Sequence, residues 1–223
     1  MTFDLTALIA FVHDSTGRGV AVREVEVGDR GNMWVARLAV DLMAYVPKNE
    51  ATARRLARER RVLTRVAARV SFRLPRPVGK DGPFDLREPV PGVTGSVHYA
   101  PIFADAARRA RVLLWMRDVL DDLHAALTVT ELDAFGLERP AWSQGVAPSA
   151  PDVLLHGDFG VHNVAFDPKT QQPSGVFDFH ELARGPQAID YRWFAQQGDE
   201  GLAFVPKEIP AEDLHRACIQ SPA

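Results

Sequence analysis

The order of the predicted elements indicates an α+β protein. Three strand-like runs lie within residues 20–47 and are separated by short turns, a pattern typical of an antiparallel meander. Two long stretches with helical periodicity follow, at residues 49–70 and 104–127. A strand, a polar loop and a second strand pair then occupy residues 153–179. A sheet followed by a largely helical region is the α+β arrangement.

Composition and charge exclude several classes of protein. The chain has 223 residues, of which 46% are hydrophobic and 25% charged, as in an ordinary soluble globular protein. A net charge of −3 provides no basic field for a nucleic acid. The single cysteine, Cys218, cannot form an intrachain disulfide, and no run approaches the ~20 apolar residues of a membrane span. We therefore expect a cytoplasmic protein that binds neither nucleic acid nor membrane.

The first part of the chain predicts one helix and three strands. The start carries Asp4 and Asp14 and no basic segment, so it does not resemble a signal peptide. Apolar residues at helical spacing predict a short amphipathic helix instead: Leu5, Leu8, Ile9 and Val12. Strand-like runs at residues 20–27, 33–40 and 42–47 follow, with Gly28 and Gly31 in the first turn.

Residues 49–70 predict a helix with a carboxylate on its apolar face. Asn49 is a suitable N-cap, and Leu56 and Leu63 belong to the apolar stripe. Glu59 lies within that stripe, and an inward carboxylate needs a cationic partner because burying it alone is costly. The sequence leaves open whether this partner is Arg55 or an arginine elsewhere. The other arginines of this helix indicate a solvated face.

The remaining elements are mostly helices. Prolines and glycines interrupt residues 75–83, and residues 84–95 read as an extended strand and linker. Residues 104–127 predict a long helix with apolar residues at three- and four-residue steps, and residues 128–151 a loop-rich connection. Two shorter helices are predicted at residues 188–197 and 208–218.

The polar loop within residues 153–179 carries the chemistry. If the runs on either side of the following turn pair as a hairpin, Asp158, Asn163 and Asp178 come to one mouth. Two carboxylates and an amide oxygen are hard donors of the kind that bind Mg²⁺ together with substrate phosphates. A base, an Asn five residues later and a second Asp after a hairpin are the arrangement used in phosphoryl transfer. The alternative is a turn residue at Asp158 and a strand-end cap at Asp178.

These residues resemble the aminoglycoside phosphotransferase/choline kinase family of small-molecule kinases. The resemblance rests on His156-Gly157-Asp158 with Asn163, on Phe177-Asp178-Phe179, and on the tract from Gly185 to Asp190. It implies a protein-kinase-like bilobal fold, with an antiparallel-sheet N-lobe that also contains a helix and a mostly helical C-lobe. It assigns residues 1–88 to the nucleotide-binding lobe and residues 89–223 to a short catalytic and acceptor-binding lobe.

The resemblance also implies a role for each residue. Asp158 would be the catalytic base, Asn163 and Asp178 the Mg²⁺ ligands, and His156 and Asp190 supports of the loop. In the N-lobe, Gly28 and Gly31 would approach the phosphates, Glu59 would pair with a phosphate-gripping base, and the backbone near residues 87–90, Glu88 among them, would meet the adenine.

One position departs from the family pattern. The third strand of this family generally carries a Lys or Arg that grips the nucleotide phosphates, and here that position holds Tyr45. A phenol donates one hydrogen bond but brings no positive charge. Lys48, just past Pro47, and Arg37 on the neighbouring strand are the candidate substitutes.

The expected function is a Mg²⁺-dependent phosphotransferase that moves the γ-phosphate of ATP, or of GTP, to a hydroxyl of a small molecule. An aminoglycoside, a macrolide or a metabolite are candidate acceptors. Two alternatives stay open: a kinase-fold protein with impaired catalysis that binds a nucleotide or a partner, and a metal-dependent phosphohydrolase built on the same acidic cluster. A different metal-hydrolase site would use His156, Asp158, His162 and His180 as ligands. The short C-terminal region also leaves room for an oligomer that completes the acceptor wall.

Overall fold

The computed structural model describes residues 3–39, 41–146 and 151–220. The chain divides into two compact units, Met1–Ala67 with Leu74–Val90, and Ala68–Arg73 with Pro91–Ala223. A five-stranded antiparallel sheet belongs to the first unit and most of the helices to the second. The predicted α+β class is therefore confirmed.

Over its described residues, the first unit contains two α-helices and one sheet. In chain order its elements are α1 (Leu5–Thr16), β1 (Val25–Asp29), β2 (Met33–Leu38), β3 (Leu42–Pro47), α2 (Glu50–Val66), β4 (Arg76–Pro77) and β5 (Asp85–Glu88). The strand order is β1-β2-β3-β5-β4, and every neighbouring pair is antiparallel. The predicted meander is thus extended by two strands that come after α2.

Helix α1 packs on one face of this sheet. Asp4 caps it by accepting the N–H of Ala7 at 2.9 Å, and Gly17 ends it in the left-handed conformation, at φ +69°. Alternate side chains of β3 point to opposite faces, and the buried set joins α1 in one core. That core contains Leu8, Val12, Ala36, Leu38, Leu42, Ala44, Val46, Phe84 and Leu86.

Strand β1 begins five residues later than predicted. Residues 22–24 form a 3₁₀ turn, and the side chain of Glu24 accepts the N–H of Ala21 at 2.9 Å. This local bond competes with strand pairing, so the alternation within residues 20–24 does not produce a strand.

Helix α2 has the predicted cap and the predicted buried carboxylate. Asn49 accepts the N–H of Thr52 at 2.9 Å, and Glu59 is buried in line with Leu56 and Leu63.

One arginine of α2, however, does not belong to a solvated face. Arg60 donates to Val78 O at 3.0 Å, to Gly79 O at 2.7 Å and to Leu86 O at 3.2 Å, and it also pairs with two carboxylates, those of Asp81 and Asp85. It therefore joins α2 to the β4–β5 region.

The second unit contains six helices and four short strands within the described residues. They are α3 (Ser96–Ala104), α4 (Ala106–Ala125), α5 (Val129–Ala134), β6 (Val153–Leu155), β7 (Val164–Phe166), β8 (Pro173–Val176), β9 (Ala183–Gly185), α6 (Ala188–Ala195), α7 (Gly198–Leu202) and α8 (Ala211–Gln220). The predicted hairpin is present, because Val164 pairs with Val176 across β7 and β8. Strand β6 pairs with β9, a partner the sequence did not indicate.

Three helices of the described residues were missed. Residues 96–103, to which the sequence assigned no element, belong to α3, and Pro101 lies inside it. Helix α7 follows the end of the helix predicted at residues 188–197. Helix α5 falls in the predicted loop, although its signal was present: Thr128 and Glu131 form a capping box. Every described helix falls short of the length and apolar content needed to cross a lipid bilayer.

The position of Arg60 leads to a stability prediction. We expect Arg60→Met to lower the free energy of unfolding by about 2–3 kcal/mol, because hydrogen bonds to charged groups are worth about 1.5–3 kcal/mol and several are lost together. Arg54→Met is the control, since Arg54 is exposed and makes only an i,i+4 pair with Glu50, which contributes roughly 0.5 kcal/mol or less. Urea unfolding of both variants measures the difference. Equal losses would contradict the role of Arg60.

Candidate active site

The loop that follows β6 carries Asp158 and depends on a glycine. Gly157 has φ +87°, a conformation that disfavours other residues. A Cβ at this position would lie 2.1 Å from the carbonyl oxygen of Glu181. The glycine is thus required both by its backbone angle and by the close approach of the segment that follows β8.

The buried carboxylate of Asp190 holds this loop from helix α6. Its oxygens accept the backbone N–H groups of His156 and Gly157, each at 2.9 Å, and one lies 3.1 Å from Nε2 of His124. Burial by itself raises the pKa of Asp190, but the bond to His124 and the other donors outweigh it, so the pKa lies below its usual value. The carboxylate is therefore charged and fully engaged in structure.

Arg192, on the same helix, contacts the loop from the other side. Its Nη2 donates to the carbonyl of Gly157 at 2.7 Å and lies 3.7 Å from Oδ1 of Asp158. Its Nη1 donates to the carbonyl of Ile189 at 2.8 Å. The sequence did not single out Arg192. Asp190 and Arg192 are two residues apart, and such residues do not share a face of an ideal helix. The carbonyl that Arg192 contacts also lies far from it along the chain.

Asp158 is half-exposed and surrounded by donors. Nδ2 of Asn163 donates to its Oδ2 at 3.2 Å and to its backbone carbonyl at 2.9 Å, and Nε2 of His162 lies 3.4 Å from Oδ2. The contact with His162 is the largest cause of a lowered pKa, which His156 and Arg192 lower further. Asp158 is accordingly an ionised carboxylate, ready to accept a hydrogen bond.

His156 is buried as a neutral ring with both nitrogens engaged. Nε2 donates to the carbonyl of Phe177 at 3.0 Å, and Nδ1 accepts the N–H of Asp158 at 3.3 Å. Burial lowers the pKa of His156, although Asp190, Asp178 and Asp158 act in the opposite direction. A ring with no lone pair to spare is not a metal ligand, so the arrangement disfavours the metal-hydrolase site in which His156 would be one of four ligands.

Asp178 lies next to the same loop. It has φ +64°, which Asp tolerates better than most residues, and the N–H of the preceding residue, Phe177, donates to the carbonyl of Asn163 at 3.0 Å. Its side chain is 48% exposed. The His156 ring donates to the carbonyl of Phe177, the residue before Asp178, and accepts the N–H of Asp158, so the backbone at both aspartates is held by this histidine.

The donor set fits Mg²⁺. Because Nδ2 of Asn163 is directed at Asp158, the amide oxygen lies on the opposite edge of the group, and the Asp178 carboxylate is open to solvent. Over the described ranges, no group of three or more His, Cys, Asp and Glu side chains is arranged to hold a metal ion. Mg²⁺ usually binds through one or two carboxylates plus substrate phosphates, so an Asp and an Asn suffice.

In the first unit, Glu59 pairs with Arg87. This arginine is 1% exposed, donates to Glu59 and to Asp85, and has its guanidinium 4.5 Å from the centre of the Tyr45 ring. Burial acts to lower the pKa of Arg87, but the two carboxylates raise it well above its usual value. The cation that meets the helix carboxylate therefore comes from β5, and Tyr45 covers it from β3.

The other nucleotide-binding candidates of the first unit have different partners. Lys48 pairs with Asp29 at 2.5 Å and lies over the Trp34 ring, while the N–H of Gly31 donates to the same aspartate at 2.9 Å. Gly28 is paired with Val35 within the β1–β2 hairpin. Glu88 pairs with Arg18 at 2.8 Å and with Arg76.

Part of the chain is similar in sequence to a known enzyme family. Residues 116–216 match the model of the phosphotransferase enzyme family, APH. No curated protein matches the chain in sequence.

Solved structures match over almost the whole chain. The GDP complex of wild-type aminoglycoside 2′-phosphotransferase-IIIa has a TM-score of 0.73 at 14% identity and covers 96% of this chain and 87% of its own. The streptomycin–ATP–APH(2″)-IIa ternary complex has a TM-score of 0.70 at 15% identity and covers 97% and 86%. Macrolide 2′-phosphotransferase MphH from Brachybacterium faecium has a TM-score of 0.66 at 19% identity and covers 97% and 88%. These similarities confirm the kinase-like α+β fold.

The neutral, buried His156 predicts a pH dependence of stability. Its folded pKa is below the unfolded value of about 6.5, so the unfolded chain binds the extra proton and stability is lost as the pH falls below about 6.5, by up to about 1.4 kcal/mol per pH unit. Asp158 and Asp190, whose pKa values are also lowered, lose their contributions only below about pH 4.

We expect His156→Gln to remove the loss between pH 6.5 and about pH 5. Urea unfolding at several pH values measures the free energy for both chains. His13→Gln is the matched control, because His13 is exposed on α1. Equal slopes in the wild type and in His156→Gln would contradict a buried neutral ring.

Proposed function

We propose that this protein transfers the γ-phosphoryl group of ATP or GTP to a hydroxyl of a small molecule, since its residues 116–216 match the model of the phosphotransferase enzyme family. The observation that supports the proposal is the set of contacts that joins Asn163 to Asp158 and links His156 and Asn163 to Phe177, the residue before Asp178. Hard oxygen donors beside an ionised carboxylate are what this chemistry needs.

In this mechanism Asp158 accepts a hydrogen bond from the acceptor hydroxyl, orients its oxygen toward the phosphorus, and takes its proton as the new bond forms. The low pKa of Asp158 makes it a weak base, so its contribution is mainly orientation. Asn163 and Asp178 would hold Mg²⁺. When bound, Mg²⁺ neutralises charge on the transferred phosphates.

We assign the nucleotide to residues 1–88 and the acceptor to residues 89–223. Gly28, Gly31 and Lys48 belong to the hairpin proposed for the phosphates, and Glu88 to the segment proposed for the base. Glu59, with Arg87 as its cation, keeps the role proposed for the helix carboxylate. His156 and Asp190 hold the catalytic loop.

The acceptor class comes from the relatives. The names of the similar structures include aminoglycoside and macrolide phosphotransferases, and GDP and ATP are their named nucleotides. We propose an acceptor from these antibiotic classes or a hydroxylated metabolite. Transfer from ATP and from GTP to a panel of aminoglycosides, macrolides and sugars, with and without Mg²⁺, tests the proposal.

A second candidate is a nucleotide-binding protein with impaired catalysis. One observation favours it: Lys48 is bound to Asp29, and Arg87 to Glu59 and Asp85, so both cations are already neutralised. This candidate predicts nucleotide binding by calorimetry without transfer to any acceptor. Turnover above the level of a heat-inactivated sample would exclude it.

Asp158→Asn tests the base. We expect the rate of transfer to fall by about 10²-fold or more, because the carboxylate that orients the acceptor hydroxyl and takes its proton is lost, with nucleotide affinity retained. Coupled turnover assays and calorimetry measure the two quantities. The control is Asp167→Asn, since Asp167 stabilises the β7–β8 turn by accepting N–H groups of Lys169 and Thr170. Equal turnover by Asp158→Asn and the wild type would refute the assignment.

Asp178→Ala tests the metal role. We expect weaker binding of the Mg²⁺–nucleotide complex but little change for the nucleotide measured with EDTA, since Asp178 would contact the metal and not the base or ribose. Titration calorimetry with Mg²⁺ and with EDTA measures the affinity for the Mg²⁺–nucleotide complex and the affinity for the nucleotide alone. An unchanged affinity in the presence of Mg²⁺ would count against Asp178 as a ligand.

A further inference from the structure

We infer that Arg192 is a positioning residue that fixes the orientation of the Asp158 carboxylate. The inference rests on the proposed function, because it concerns the base of that reaction. Arg192 is almost completely buried, with its side chain 11% exposed, and its guanidinium lies at the junction of Gly157 and Asp158.

Helix α6 grips both polar groups of Gly157. Oδ1 of Asp190 accepts the N–H of Gly157 at 2.9 Å, and Nη2 of Arg192 donates to its carbonyl at 2.7 Å. That carbonyl belongs to the planar peptide group that leads into Asp158. Holding the plane fixes the direction in which Asp158 leaves the loop, and thereby the position of its carboxylate.

The guanidinium itself cannot turn freely. Its Nη1 donates to the carbonyl of Ile189 at 2.8 Å, and its central carbon lies 5.3 Å from the centre of the Trp142 ring. Ile189 and Arg192 belong to the same helix, so this hydrogen bond fixes the orientation of the guanidinium group relative to α6. Arginine suits this position because one planar group donates to two carbonyls at once, which an ammonium group on a flexible stem does less well.

The charge of Arg192 acts on one side of the carboxylate. Nη2 lies 3.7 Å from Oδ1 of Asp158, too far for a hydrogen bond, whereas Asn163 and His162 contact Oδ2. Oδ2 thus accepts hydrogen bonds from Asn163 and His162. Oδ1 is attracted by the charge of Arg192 but can still accept a hydrogen bond from another donor. A hydroxyl that approaches Oδ1 would find the acceptor oxygen already aimed.

Three variants test the inference in the full chain. Arg192→Met removes the charge and the fork, Arg192→Lys keeps only the charge, and Arg69→Met is the matched control. Arg69 also donates to a carbonyl, that of Ala126 at 2.7 Å, and to a carboxylate, that of Glu131, but its partners lie at α4 and α5.

For Arg192→Met we expect kcat to fall by about 100-fold, the cost of a misplacement of about 1 Å, with the KM for nucleotide unchanged. Arg192→Lys should recover part of the loss. Arg69→Met should keep the wild-type kcat even if its free energy of unfolding is lower than that of the wild type. Urea unfolding of each variant gives the folded fraction by which kcat is corrected.

A corrected kcat equal to that of the wild type in both Arg192 variants would overturn the inference. So would a fall in kcat matched by an equal rise in KM for nucleotide, which would indicate a general disturbance of the site. If Arg192→Met does not fold, the Arg192→Lys variant decides alone. A wild-type chain that transfers no phosphoryl group from ATP or GTP would refute the proposed function and with it this inference.

Discussion

The candidate site depends on one charged group with no access to solvent, the carboxylate of Asp190. Taking such a group out of water is costly, and it persists because two backbone N–H groups and His124 satisfy its oxygens. The loop that carries Asp158 has few regular hydrogen bonds of its own. Its conformation is therefore set by α6, through Asp190 on one side and Arg192 on the other.

This support is matched to the proposed chemistry. Phosphoryl transfer asks little covalent work of the protein and depends on positioning and on neutralised charge. Because its pKa is lowered, Asp158 is a weak base, but as an ionised carboxylate it can orient a hydroxyl by accepting its hydrogen bond. The buried, neutral His156 serves the same end, since it links the Asp158 backbone to the Phe177 carbonyl next to Asp178.

In the first unit the cation for the helix carboxylate comes from a different strand than the resemblance led us to expect. We expected a base on the third strand, at the position that Tyr45 holds. Arg87 on the neighbouring strand β5 supplies the cation for Glu59. The second carboxylate, that of Asp85, contacts both Arg87 and Arg60, so two carboxylates face two guanidinium groups. An unpaired ion buried at this depth would be strongly destabilising, so the four groups form one unit.

By itself, the amino-acid sequence determined the α+β class, the cap and buried carboxylate of α2, the β7–β8 hairpin and the neighbourhood of Asp158, Asn163 and Asp178. These features follow from local rules: periodicity, capping residues and the short spacing of a hairpin. Only the tertiary structure decided that Glu59 meets Arg87, that Arg60 turns inward, and that Arg192 holds Gly157. The first and last of these contacts join residues 28 and 35 positions apart. Such pairings depend on the path of the backbone, so the residues next to a side chain along the chain do not predict which residues it contacts in the folded protein.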